Sequence, residues 1–164
     1  MSEVNYVIDK LGVKFEGIFN LDEFYSILKE FLVQSGYTVT EREFAEKTKE
    51  NLTVKWKSAK VVDEYTQFII KSSIKCSIQN IEIKNKKLSN GTMDFTLKAQ
   101  IEKDYQDLWA GPLKRFIRGV YDKFIAGDRF EKLESELKDE AYSVVEKARQ
   151  YLNMKTFKGH SCVA

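Results

Sequence analysis

The chain has 164 residues, 43% of them apolar and 13% aromatic, enough to bury one core without disulfide or metal staples and too apolar for a disordered segment. Its 27 basic and 25 acidic side chains leave a net charge of +2, which excludes the cationic excess of a protein that neutralises many phosphates, so no nucleic-acid partner is expected. The N-terminus lacks the basic and apolar regions of a signal peptide, and no apolar run approaches the roughly 18 residues of a membrane span, so the cytoplasm is the expected location.

A first strand is expected from about Asp9 to Ile18, where Val13 and Phe15 alternate with Lys14 and Glu16. Asn20 or Asp22 can cap the helix that follows, whose apolar positions Leu21, Phe24, Tyr25, Leu28, Phe31 and Leu32 keep helical spacing and which Gly36 stops. Tyr37, Val39 and Phe44 open a second strand. Leu52, Val54, Trp56 and Ser58, set against Thr53, Lys55 and Lys57, make a third after a turn at Lys49, Glu50 and Asn51.

The strongest signal comes next. Thr66, Phe68, Ile70, Ser72, Ile74, Cys76 and Ile78 point one way, and Gln67, Lys71, Ser73, Lys75 and Ser77 the other, so a long strand with one wet face is expected to run on through Ile81 and Ile83. Asn90-Gly91 is the expected hairpin tip, and Met93, Phe95, Leu97, Ala99 and Ile101 carry the returning strand. The outer face of this sheet would then show Lys55, Lys57, Lys71, Lys75, Lys98 and Lys103, a strip read as a solvated face that resists edge-to-edge aggregation.

The period changes after Gly111-Pro112. Leu113, Phe116, Ile117, Val120, Tyr121, Phe124 and Ile125 form a broad apolar stripe, with Pro112 placed as a first helical residue. After Gly127 and Asp128, the apolar series from Phe130 through Leu137, Ala141 and Val144 to Leu152 predicts a last helix of about 25 residues. The expected fold is α+β: a curved antiparallel meander sheet of about five strands, one helix after the first strand, and two C-terminal helices, the last one long, packed on one face. Residues 1–155 form the single domain and residues 156–164 a flexible C-terminal tail.

A strand, a helix, several long antiparallel strands and a long C-terminal helix together resemble the helix-grip arrangement of the START and Bet v 1-like families. That resemblance implies a curved sheet gripping the last helix around an apolar cavity. The pair of short helices those families place after the first strand is here a single helix, and an extra helix precedes the last.

Reactive side chains are sparse. The one histidine, His160, and Cys162 lie in the C-terminal tail, Cys76 points with core residues, and no glycine-rich loop joins a strand to a helix, so no metal, cofactor or nucleotide is expected. Cys162 stands third from the end, one register away from a prenylation box. Glu102, Asp104 and Asp107 are the best candidates for acid-base chemistry, which makes an enzyme the third reading.

Two readings stand before it. In the first, the protein is a non-catalytic interaction or assembly protein, a self-associating structural subunit using the amphipathic 109–125 segment: Trp109, Lys114, Arg115, Phe116, Arg118 and Phe124. Its cationic face and leading tryptophan are also the layout of a membrane-surface helix, and packing of the stripe on the sheet is the commoner use of such a pattern. In the second, an apolar small molecule or lipid occupies a cavity lined by Trp56, Phe68, Ile70, Phe95, Leu97, Leu137 and Val144, residues that equally make a filled core.

Overall fold

The alternation from Thr66 onward builds the central strand of the computed structural model, which describes residues 3–48, 51–83, 86–104, 106, 111–124 and 127–159. In chain order the elements are β1 (Glu3–Phe19), α1 (Leu21–Gln34), β2 (Thr38–Thr48), β3 (Asn51–Val61), β4 (Thr66–Ile83), β5 (Lys86–Lys103), α2 (Pro112–Phe124) and α3 (Gly127–Gly159). The strands form one antiparallel sheet in the order β1-β5-β4-β3-β2. Four strands follow one another as a meander, and β1 adds to the far side of β5.

Side-chain parity sorts the sheet into two faces. Phe68, Ile70, Ser72, Ile74 and Cys76 of β4 are buried together with Val54, Trp56 and Ser58 of β3 and Met93, Phe95, Leu97, Ala99 and Ile101 of β5. Over this face α1 places Phe24, Leu28 and Leu32, and α3 places Leu133, Leu137, Ala141, Val144, Ala148 and Leu152. α3 lies against β1 and β5 and also touches α1. Of the two candidate caps, Asn20 is the one that caps α1, its side chain accepting from the Glu23 amide at 3.1 Å, and Gly36 follows the helix with φ +95°, a conformation glycine adopts without a Cβ clash.

Three sequence expectations need correction. The first strand begins at Glu3 rather than near Asp9, because register shifts between Tyr6 and Ile8 and between Ile8 and Leu11 interrupt its alternation without ending its pairing. Asn90-Gly91 is not a hairpin tip: Asn90 pairs with Gln79 and Gly91 with Ile78, so the β4–β5 ladder runs on to Ile83 and Lys86. A tight Asn-Gly turn requires positive φ at both residues, and only Gly91 has it, opposite Gly17 of β1, which also has positive φ. Lys103 does not lie on the wet face. It is 8% exposed and its ammonium sits 3.9 Å from the centre of the Phe130 ring.

Lys49 and Glu50 of the expected turn lie outside the described residues, while Asn51 already belongs to β3. α3 continues to Gly159, and residues 160–164, with His160 and Cys162, lie outside the described ones.

Cys76 is buried as a free thiol, and burial pushes its pKa up to about 12. The thiolate is the reactive form, so a thiol reagent at pH 8 should label Cys76 at the rate of global unfolding. Labelling as fast as a small-molecule thiol would show that its strand opens locally.

Candidate functional site

The α2 helix carries the strongest departure from ordinary packing. Leu113, Phe116, Ile117 and Val120 stand at i, i+3, i+4 and i+7, one face of a helix, and they are 71%, 70%, 47% and 41% exposed. These four side chains therefore do not pack on the sheet in this structure, although packing there is the commoner use of such a pattern. Lys114 and Arg115 are exposed beside it. Arg118 and Phe124 belong to the helical backbone, but their side chains lie outside the described ones, as does all of Trp109.

The residues expected to line a cavity meet in one place. Trp56, Phe68, Ile70, Phe95, Leu97, Leu137 and Val144 belong to a single contiguous cluster of buried side chains between the sheet and its two covering helices. Trp56 stacks on Phe95 with ring centres 6.1 Å apart, and Phe24 and Tyr25 of α1 meet these rings edge-on. Three polar atoms in the cluster's floor, Trp56 Nε1, Ser58 Oγ and Ser72 Oγ, are buried without a hydrogen-bond partner. Trp56 and Ser72 are direct partners across β3 and β4.

The acidic candidates are kept apart. Glu102 accepts a hydrogen bond from Gln67 Nε2 at 2.7 Å on the outer face. Asp104 is buried where β5 ends, its amide donating to the Tyr65 carbonyl at 2.7 Å, and among the described residues it alone takes a positive φ without being glycine. Asp107 lies outside the described residues. Among those described, no group of three or more His, Cys, Asp or Glu side chains is placed to hold a metal ion.

Two arrangements were not legible in the sequence because each depends on long-range placement. Just before β2, the Tyr37 hydroxyl donates to Glu140 of α3, and Lys60 Nζ of β3 donates to the same carboxylate at 2.6 Å. Burial, then that hydrogen bond, then the charges of Glu140 and Glu136 push the Tyr37 phenol far above its ordinary pKa. On the outer face, register brings Lys57, Lys71 and Lys98 opposite one another on β3, β4 and β5.

Two grooves lined by described residues open on that outer face. One, of about 580 Å³, is bordered by Lys55, Lys57, Lys71, Ser73, Thr96 and Lys98. The other, of about 620 Å³, mixes Lys14 and Lys75 with Glu16 and Asp94.

These features define an α+β protein with an antiparallel five-stranded sheet covered on one face by helices. No helix among the described residues is long and apolar enough to cross a membrane. The chain matches no protein family, and no curated protein sequence matches it.

Proposed function

We propose that the protein is a non-catalytic interaction protein, a self-associating structural subunit that assembles through α2. The observation that supports this is the solvent-facing stripe of Leu113, Phe116, Ile117 and Val120, an apolar surface on a helix whose partners within the fold leave it uncovered. A second copy presents the same stripe, so two α2 helices can bury each other across a two-fold axis, with Lys114 and Arg115 at the rim. Those rim charges repel in such a pair, and raising the salt should strengthen it.

Light scattering on the eluting protein should find an oligomer, and Phe116→Asp should weaken assembly at least tenfold while leaving the monomer folded, as read by its circular dichroism. A monomeric wild type, or a Phe116→Asp variant that unfolds, would sink the reading. A monomer that binds anionic vesicles, and binds them less as salt rises, would replace it with a membrane-surface role.

One observation favours a carrier of an apolar small molecule as the second reading. Trp56 Nε1, Ser58 Oγ and Ser72 Oγ are polar groups without partners within the apolar cluster, and a ligand with a single polar end would satisfy them. Mass spectrometry of compounds extracted from the native protein tests it, and recovery of no apolar compound would count against it.

A further inference from the structure

From the register of the outer face we infer that the groove over β3, β4 and β5 is a binding site for a short chain of phosphates. Lys57 pairs directly with Lys71, and Lys71 with Lys98, so three ammonium-bearing stems stand in a row across three adjacent strands. At the usual strand spacing the row is about 10 Å long. Like charges placed directly opposite each other destabilise a sheet, and none of the three lysines has an ion pair or hydrogen bond among the described residues to offset that.

Protection of an exposed sheet edge does not account for the row. The edges of this sheet are β1 and β2, whereas all three lysines sit on strands already paired on both sides. A generally lysine-rich surface does not account for it either. The neighbouring groove on the same face balances its charges, with Asp94 opposite both Lys14 and Lys75. Beside Lys98, the irregular stretch of β1 contributes Asp9 and Lys10, one charge of each sign.

Within the groove Lys55 adds a fourth cation, the described residues that line it include no carboxylate, and Ser73 lies between the charges. The Ser73 hydroxyl is buried without a hydrogen-bond partner, a donor that a phosphate oxygen would satisfy. Lysine meets phosphate as a point charge, so a line of lysines matches an anion whose charge is spread along a chain better than one concentrated on a single phosphate. Among the described residues that line the groove, a nucleobase finds no exposed ring to stack on. Trp56 borders the groove, but its ring is on the other side of the sheet, 2% exposed and stacked on Phe95. The inference uses no residue of α2 and stands or falls separately from the assembly reading.

Calorimetric titration of the full chain with tripolyphosphate, orthophosphate, a short single-stranded oligonucleotide and anionic vesicles provides the test, run alongside Lys71→Thr and Lys75→Thr. Tripolyphosphate should bind at least tenfold more tightly than orthophosphate. Lys71→Thr should weaken that binding at least tenfold while leaving the protein as stable as the wild type or more so, because it removes both like-charge contacts of the row. Lys75→Thr, in the balanced groove, should leave binding unchanged. Equal binding of tripolyphosphate by wild type and Lys71→Thr, or no binding at all, would overturn the inference. Tighter binding of the oligonucleotide or the vesicles, lost in Lys71→Thr, would overturn it in favour of a macromolecular polyanion.

Discussion

Phe95→Ala should destabilise the protein by about 3–5 kcal/mol, the range for removing a fully buried aromatic ring from a core that collapses only in part. Phe95 has no solvent exposure and sits on β5 between Val13 of β1 and Ile74 of β4. Its ring meets Phe24 of α1 nearly perpendicularly at 5.9 Å and lies along Trp56 of β3 at 6.1 Å. One truncation therefore loosens contacts to a helix and to three strands. Urea unfolding should show a lower midpoint with an unchanged slope. A loss of less than about 1 kcal/mol would mean that the core closes over the gap far better than measured precedents allow.

Alkaline pH should unfold the protein, and four of the described groups add to the steepness of that transition. Tyr25, Tyr37 and Tyr151 all have phenols raised well above the usual tyrosine pKa, and the Cys76 thiol is raised to about 12. Burial is the leading cause in each. Hydrogen bonding to Glu41 adds to it at Tyr25, and the charge of Glu23 adds to it at Tyr151. Each group becomes charged by losing its proton, and the unfolded chain loses it first. The stability these groups hold is complete below about pH 9, the ordinary thiol range, and drains away as pH rises through 10 and beyond.

Denaturant midpoints should fall with increasing slope above pH 9, and Tyr25, Tyr37 and Tyr151 should ionise only with unfolding, as read by tyrosinate absorbance. Tyr37→Phe removes one proton from the linkage and should flatten the slope. An unchanged slope would mean that Tyr37 already ionises in the folded state.

What could be read from the residues divides along a physical line. Helix boundaries and strand parity are local, so the start of α1 at Asn20 or Asp22, Pro112 at the start of α2 and the buried row from Phe68 to Cys76 were all legible before the fold was known. Register is not local. The Asn90-Gly91 pair carries a strong turn signal, yet the ladder from Ile78 to Ile83 continues past it, because apolar positions beyond that point still have a partner strand. The alignment of Lys57, Lys71 and Lys98 was hidden for the same reason: parity places each on the wet face, but only pairing sets them in one line. The exposed stripe of α2 is the converse case. Its amphipathic pattern is plain, but a pattern does not say whether the fold or a partner covers it.

The position of β1 has a consequence for how the protein is made. Its only neighbour in the sheet is β5, which leaves the ribosome after every other strand. At about 5–20 residues per second, several seconds of synthesis separate the first strand from the strand it pairs with. Closure of the sheet, and with it the seat of α3 on β1 and β5, therefore waits for the chain to be made through Lys103. A translational pause before Lys86 prolongs the exposure of an unpaired strand carrying Val13 and Phe15, whereas a pause after the C-terminal half of β5 has emerged leaves it time to pair.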